Sequence, residues 1–360
     1  MKTHFRKGAF RWASILLTVV MAVNLLPLTA MAADPISTNS GTGTKSDPYV
    51  YEVSSEAELS DALSAIRAET SATDFVISLT DTIQASGSFS IANSSSYSKN
   101  VTLLGNGYEI HFTQVGCRIS IGQNVNVQFG ASDNTDVLTI SGVGGRNKGG
   151  ADGPGFVTVQ GTLDMYSGVT IKDYTTNNYY GGGVTVYAGD AVFRMHGGVI
   201  ENCGVLNGSL CFGGGVGVVR GSTFIMDGGT IRNCFVESSY QERQWYYPTT
   251  AGGGVCVVGS TFIMNGGSIE NCTAQKSTSG TGQALGGGVA VAASRTSYNA
   301  NGGLGYLDST FEMKGGEISG CTADYGGGIC VLGTIVNNSS IGPSAFPDPD
   351  PSSLDDGFRI

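Results

Sequence analysis

The strongest constraint on the fold of this chain is a phrase that the chain repeats. GSTFIMDGGTIRNC occupies residues 221–234, and GSTFIMNGGSIENC follows at 259–272, 38 positions later. A catalytic constellation is normally built once, whereas a stacked scaffold uses the same short unit many times. The repetition therefore predicts architecture rather than an active site.

The repeated unit has a fixed spacing that occurs four times. Each phenylalanine precedes a methionine by two residues, an isoleucine by seven and a cysteine by ten. The phenylalanine and methionine pairs are Phe193 and Met195, Phe224 and Met226, Phe262 and Met264, and Phe311 and Met313. Because side chains alternate along a strand, both members of a pair lie on one face. We expect these eight side chains to form the structural core.

Glycine-rich phrases separate the units. GGGVTV begins at Gly181, and related phrases begin at 213, 252, 286 and 326. Each unit thus holds three short strands joined by glycines, which permit sharp bends. One unit cannot bury its apolar face alone, but units stacked about 4.8 Å apart bury continuous columns. We predict an all-β fold, a parallel β-helix with three strands per coil. A propeller blade needs four antiparallel strands, for which the 23 residues from Gly181 to Cys203 are too few.

The GGGVxV and F-x-M-x-GG-x-I phrases resemble the right-handed parallel β-helix repeats of bacterial secreted and cell-surface proteins of the adhesin-like type. GTGTKSDPYV at 41–50 is similar to a segment that often precedes such domains, and KNVTLLGNGYEI at 99–110 is similar to an early coil. The resemblance covers about residues 41–340. It implies a right-handed β-helix and leaves the function open, because lyases, hydrolases and adhesins share this fold.

Residues 1–32 have the pattern of a signal peptide. Four basic residues precede an apolar run at about 13–28, and Ala30-Met31-Ala32 supplies a cleavage site before Ala33. A membrane anchor is the alternative, but the apolar run is short and ends in the cleavage site. We expect a secreted protein, extracellular or at the cell surface.

The net charge of the chain limits the classes of partner that it can bind. The net charge is −10, and removing the four bases of residues 1–32, which contain no acid, leaves −14. Such a surface repels phosphate backbones and anionic lipids. No later apolar segment is long enough to span a bilayer. We expect a monomer whose partner is a glycan or a cell-surface protein, with no nucleic acid and no direct membrane insertion.

The predicted domain organisation has four parts. Residues 1–32 form the signal peptide and 33–53 an N-terminal lead-in. The β-helix covers 54–341 and includes a capping helix at 55–69, where Ser55 and Glu58 make a capping box. Residues 342–360 form a tail or linker rich in Pro and Asp. This tail is expected to fold over the end of the β-helix or to lead to further domains.

Two rows of side chains are expected to face outward from the strands, and both are poor in carboxylates. The first row is Thr185, Gly217, Cys256, Ala290 and Cys330, and the second is Arg194, Ile225, Ile263 and Glu312. Neither row places two acids on neighbouring coils, as calcium binding or glycoside cleavage requires. The only loose carboxylate cluster is Asp133, Asp136 and Asp152. The rows therefore favour a non-catalytic protein.

A third outward row alternates in charge. Its members follow the core isoleucines and are Lys172, Glu201, Arg232 and Glu270, with Ser319 as the last position. Such a row is a binding stripe or a cross-strand ladder of ion pairs, each contributing well below about 1 kcal/mol.

The four cysteines of the repeat, Cys203, Cys234, Cys272 and Cys321, are predicted to stack as a structural ladder at one corner. Buried free thiols and disulfides between adjacent coils both fit this placement. Metal binding would need C-x-x-C pairs or nearby histidines, and only His111 and His196 follow residue 32. We expect no metal and no cofactor.

The longest insertion between repeats, FVESSYQERQWYYPTTA, carries the candidate ligand-binding residues Trp245, Tyr246 and Tyr247. Flat aromatic rings suit a sugar or a protein partner. The alternative is that these rings fold back onto the strands. The sequence thus predicts a non-catalytic secreted or cell-surface module for adhesion or for glycan or partner binding. The alternatives are a polysaccharide lyase or glycoside hydrolase with a loop-borne or degenerate site, and a structural stalk.

Overall fold

The computed structural model describes residues 40–94, 97–145, 155–177, 180–206, 211–238, 250–276, 283–292, 294–296 and 305–332. The predicted signal peptide, the tail at 342–360 and the aromatic residues Trp245, Tyr246 and Tyr247 lie outside these described residues.

One helix, Glu56–Ala68, stands near the start of the described chain. Its N-terminus is capped by Ser55, whose side chain accepts a hydrogen bond from the backbone N–H of Glu58. The carboxylate of Glu58 accepts in turn from the backbone and hydroxyl of Ser54. Leu59, Leu63 and Ile66 are buried on one face of the helix, as the apolar periodicity predicts.

Three long sheets, in which all strands are parallel, make up most of the remaining structure. We call the first the Phe–Met sheet, and its nine strands are Tyr49–Val53, Asp74–Leu79, Lys99–Leu104, Val125–Phe129, Thr162–Met165, Val192–Met195, Thr223–Met226, Thr261–Met264 and Thr310–Met313. The second is the isoleucine sheet, with the eight strands Ile83–Ala85, Glu109–Phe112, Leu138–Ser141, Val169–Lys172, Val199–Glu201, Thr230–Arg232, Ser268–Glu270 and Glu317–Ser319. The third is the glycine sheet, with the eight strands Phe89–Ile91, Ile119–Ile121, Val157–Val159, Val184–Tyr187, Val216–Val219, Val255–Val258, Val289–Ala292 and Ile329–Leu332.

From Lys99 onward the chain visits the Phe–Met, isoleucine and glycine sheets in this order and then returns to the first. We call one such passage a coil. Each strand pairs in parallel with its equivalent on the next coil, so successive repeats stack in register. The predicted all-β class is confirmed, and the long parallel sheets are consistent with a β-helix.

The register brings identical core side chains into columns. The rings of Phe193 and Phe224 stack 4.9 Å apart, Phe224 and Phe262 lie 4.7 Å apart, and Phe262 and Phe311 lie 4.9 Å apart. The first three rings are fully buried, and so are Met195, Met226 and Met264. Burying one such side chain stabilises the fold by roughly 1.5–3 kcal/mol. Phe311 and Met313, on the last described coil, are half-buried.

The central coils contain more strands than the three expected. One additional parallel sheet consists of Thr175–Thr176, Gly204–Leu206, Phe235–Ser238 and Thr273–Lys276. Another consists of Cys211–Phe212, Thr250–Ala251 and Ala284–Leu285. Ser294–Thr296 and Gly305–Leu307 form an antiparallel pair. The expectation of three strands per coil therefore describes the main sheets but not the whole coil.

The additional strands cover the first of the rows that were expected to face outward, so its expected exposure is wrong. Thr185, Cys256, Ala290 and Cys330 point away from the main core, but all four are buried. Phe212, Leu285 and Ala251 cover the row, with Tyr180 and Tyr325 packed at its edge. From Val157–Val159 to Val289–Ala292 the glycine sheet is therefore buried on both faces, which is the usual environment of parallel strands. This row is a second apolar layer and not an outer surface.

Candidate functional site

A row of polar side chains follows the strands of the isoleucine sheet at the corner where each strand ends. Its members are Asp173, Asn202, Asn233 and Asn271, and we call them the asparagine row. Their φ angles are 58°, 54°, 55° and 52° in the same order. Asparagine and aspartate tolerate this left-handed conformation better than other residues with a Cβ. The corner geometry therefore explains why short amide or carboxylate side chains recur there.

The asparagine row borders an open groove of about 430 Å³. The groove is lined by the four residues of the row and by Gly145, Phe235 and Thr273. Asn202 donates from Nδ2 to Oδ1 of Asp173 at 3.1 Å. The amides of Asn233 and Asn271 are exposed and make no side-chain hydrogen bond within the described part of the chain. They are available to a ligand that lies in the groove.

The row of alternating charges lies directly beside the asparagine row. Glu201 accepts from Arg232 through one carboxylate oxygen, at 2.7 Å from both Nε and Nη2. Lys172 and Glu270 form no ion pair with the described residues. The predicted ladder is therefore formed at its central pair only. Two acids and two bases keep the edge of the groove electrically balanced.

The cysteine ladder lies on the inner side of the same corner. Cys203, Cys234 and Cys272 are fully buried, Cys321 is half-buried, and all four are free thiols. The thiols of Cys234 and Cys272 donate to the carbonyl oxygens of the core isoleucines one coil earlier, at 3.8 and 3.7 Å. Burial raises the pKa of Cys203 to about 12. The Cys203 thiol is therefore protonated at neutral pH, and with Cys234 and Cys272 fully buried beside it the ladder is a packing element.

A second polar cluster lies on the outer surface at the opposite end of the isoleucine strands. His196 contacts Oδ1 of Asp164 through Nε2 at 2.9 Å and Oδ2 of Asp227 through Nδ1 at 3.3 Å. Its ring stacks on Tyr166 with centroids 4.9 Å apart, and Arg194 lies 3.9 Å from Asp164. This cluster has no signature in the linear sequence, because the parallel register brings together residues about 30 positions apart.

The geometry of the His196 cluster bears on the glycosidase alternative. A hydrolase of this kind needs a sugar or a water molecule between its two carboxyl groups. Here the imidazole ring itself occupies the space between Asp164 and Asp227, because each carboxylate contacts a different ring nitrogen. The cluster ties three successive coils together and leaves no gap between its acids.

The loose carboxylate cluster does not form a site within the described residues. Both carboxylate oxygens of Asp136 accept backbone hydrogen bonds, from Gly105 at 2.9 Å and Asn106 at 2.7 Å. Asp133 accepts from the backbone and hydroxyl of Thr135. Asp133 therefore stabilises a local turn, and Asp136 holds the turn at Gly105 and Asn106 about 30 positions earlier in the chain. Asp152 lies outside the described residues.

Within the described ranges, no group of three or more His, Cys, Asp or Glu side chains is arranged to hold a metal ion. No helix in this part of the chain is both long and apolar enough to cross a membrane.

Comparison with known proteins adds no family to this description. No protein-family model matches the chain, and no curated protein or solved structure matches it.

Proposed function

We propose that this protein is a secreted, non-catalytic glycan-binding module built on a right-handed parallel β-helix, and that the groove beside the asparagine row is its binding site. The observation that carries the proposal is the row itself, in which consecutive coils present exposed amides along one open groove. The aromatic residues Trp245, Tyr246 and Tyr247 remain a second predicted contact surface of the same module.

The chemistry of the row favours a sugar. A carboxamide both donates and accepts hydrogen bonds, as does a sugar hydroxyl, so one side chain can satisfy two groups of the ligand. Asn233 and Asn271 have this capacity unused within the described structure. Gly145, Phe235 and Thr273 complete the lining of the groove. A few polar groups that converge in a concave site fix the orientation of a small ligand.

The location is supported by the sequence. Residues 1–32 have the charge pattern, apolar run and cleavage site of a signal peptide. The repeat phrases resemble those of bacterial secreted and cell-surface proteins. The acidic surface repels phosphate-rich polymers and is compatible with a neutral glycan.

A glycan array tests the proposal with the secreted protein and three variants. Asn233→Gly removes one amide and keeps a residue that favours positive φ, so the backbone stays unstrained. Asn124→Gly is the matched control, because Asn124 is also exposed with a φ of 57° but does not line the groove. Trp245→Ala tests the aromatic surface.

The proposal expects the wild-type protein to bind a defined set of glycans. Asn233→Gly should weaken that binding by about tenfold, the equivalent of one hydrogen bond to a ligand, while Asn124→Gly leaves it unchanged. Binding lost only in Trp245→Ala would place the site on the aromatic loop instead of the groove. Absence of glycan binding in the wild-type protein would reject the proposed function and favour the structural stalk.

A further inference from the structure

The asparagine row continues in register for one more position. The strands Ser268–Glu270 and Glu317–Ser319 pair so that Glu270 faces Ser319. Gly320 is therefore the position that follows Asn271, and its φ of 63° matches those of the row. The row thus has five backbone positions of one conformation, of which four carry a polar side chain. The fifth position has no side chain at all.

We propose that the groove binds an extended, linear, neutral polysaccharide that runs along the stacking direction, with about one sugar unit for each coil. This inference rests on the proposed glycan-binding function and adds the form, the charge and the orientation of the ligand. Parallel strands on neighbouring coils lie about 4.8 Å apart, which is close to the length of one pyranose unit in an extended chain. A repeating ligand can therefore meet successive members of the row in equivalent ways.

A single sugar would use only part of this arrangement. Each additional coil offers another hydrogen-bonding side chain, in the order Asp173, Asn202, Asn233 and Asn271. The hydrogen bonds to successive coils add to the affinity for a polymer, because the entropic cost of losing translational freedom arises only once, when the first unit binds. The structure therefore predicts affinity that grows with chain length and then levels off.

The charges around the groove determine the class of sugar. The row of alternating charges beside the groove holds two acids and two bases. Of these, Glu201 and Arg232 form an ion pair and neutralise each other. Within the asparagine row the only charged member is Asp173, at one end. No cationic cluster lies among the residues that line the groove. A polysaccharide rich in uronate or sulfate would meet the like charge of Asp173 inside the groove and one base beside it, Lys172, that is unpaired among the described residues, which is too little counter-charge for a polyanion.

Gly320 marks the end of the row and permits a gain-of-function test. Asparagine is compatible with a φ of 63°. A Cβ at Gly320 would lie 2.3 Å from Oδ1 of Asn271, which is the mobile end of a side chain, and 3.6 Å from the backbone N of Asn271. A rotation of the Asn271 amide therefore relieves the contact. Gly320→Asn should extend the row by one amide.

The experiment measures the dissociation constants of neutral linear oligosaccharides of one to eight units. Cello-, xylo-, manno- and N-acetylchito-oligosaccharides are the probes, and oligogalacturonates of the same lengths are the acidic comparison. The proteins are the secreted wild type, Asn233→Gly, Gly320→Asn and Gly107→Asn. Gly107 is the control because its φ is 89°, a Cβ there would meet nothing within 4 Å, and it does not line the groove.

For at least one neutral series, we expect Kd to fall by about tenfold between two and four units and then to level off, as one to two added hydrogen bonds would produce. Gly320→Asn should move the plateau to five units and lower Kd for the longer chains by about threefold. Gly107→Asn should leave both unchanged. Asn233→Gly should remove most of the gain beyond two units.

Several outcomes would overturn the inference, and they differ from failure of the proposed function. Binding that does not depend on length, or a plateau that Gly320→Asn does not move, would reject a polymer aligned with the coils while leaving glycan binding intact. Tighter binding of oligogalacturonates would reject a neutral ligand. Displacement of the sugar probes by an extended peptide at lower concentration would assign the groove to a protein partner. Absence of binding to any array glycan or oligosaccharide would instead reject the proposed function.

Discussion

The ammonium nitrogen of Lys99 lies 2.5 Å from the carbonyl oxygen of Ile66, at the end of the N-terminal helix. It also donates to the carbonyl of Glu69 at 2.6 Å, and the Lys99 side chain is buried. The last carbonyl groups of a helix have no partner within the helix. A lysine at the start of the strand Lys99–Leu104 supplies these bonds and fastens the helix to the stacked coils.

Replacing this lysine should therefore loosen the helix from the sheets. We expect Lys99→Met to lower the free energy of unfolding by about 2 kcal/mol, because buried carbonyl groups lose a charged donor. Lys172→Met is the control, since Lys172 forms no ion pair with the described residues and should change stability by less than about 0.5 kcal/mol. Urea unfolding followed by far-UV circular dichroism measures both values. Equal effects of the two substitutions would contradict the role assigned to Lys99.

Substitution in the column of stacked phenylalanines should lower the free energy of unfolding more than substitution elsewhere in the core. Phe224 is fully buried, with a stacked ring on each side, at 4.9 Å from Phe193 and 4.7 Å from Phe262. We expect Phe224→Ala to cost about 3–5 kcal/mol through lost burial and the resulting cavity. Phe224→Leu keeps most of the volume and should cost clearly less. Denaturant titration measures the free energy of unfolding of both variants. A loss below about 1 kcal/mol for Phe224→Ala would exclude a close-packed column.

Acid should weaken the turn that follows the helix, which the Glu69 carboxylate holds together. Hydrogen bonds from the backbone and hydroxyl of Ser71, helped by those of Ala72 and Thr70, lower the pKa of Glu69 from 4.5 to about 2. A carboxylate whose pKa is lower in the folded state stabilises that state above its unfolded pKa. This contribution is therefore complete above pH 4.5 and is lost as the pH falls towards about 2.

The variant Glu69→Gln tests this pH dependence. The midpoint of its urea unfolding should fall less steeply between about pH 4.5 and pH 2.5 than that of the wild type. Glu52→Gln serves as the control, because Glu52 is exposed and makes no side-chain hydrogen bond to the described residues. If the unfolding midpoint of Glu69→Gln falls with decreasing pH as steeply as that of the wild type, the hydrogen bonds to Glu69 are not responsible for the loss of stability in acid.

Three members of the cysteine ladder, the fully buried Cys203, Cys234 and Cys272, should be inert in the folded protein and fully reactive after unfolding. Burial raises the pKa of Cys203 to about 12, and Cys234 and Cys272 are equally inaccessible. At pH 8 iodoacetamide should modify the partly exposed Cys117 first. After unfolding in urea without reductant, it should modify all four ladder cysteines, as peptide mass spectrometry can show. Modification that requires a reductant would instead demonstrate disulfides between adjacent coils.

The stacked core could be predicted because its signals are local. Alternation of Phe193 with Met195, and glycines beside each strand, define one unit, and repetition then fixes the register of the next. The cover over Cys256 could not be predicted in this way. Phe212 and Leu285 lie on strands of two residues, which are too short to show any periodicity. Their role depends on the insertions that precede them.

The candidate site was visible in part. An asparagine precedes three of the ladder cysteines, Cys203, Cys234 and Cys272, and this recurrence was the available signal. Its meaning depends on backbone conformation and on a neighbouring groove, neither of which a linear pattern reports. The contacts of His196 with Asp164 and Asp227 depend on pairing across coils. Side-chain sites on a stacked fold follow the register, so they become apparent only once the coils are aligned.

The most direct test of the binding account is to observe the row itself in the presence of ligand. Selective labelling of asparagine with ¹⁵N makes the side-chain amide signals of Asn202, Asn233 and Asn271 visible by NMR. On titration with a glycan that the array identifies, these three amides should shift together and saturate at one concentration, while that of Asn124 should not move. Saturable binding that leaves all three amides of the row unperturbed would contradict the account.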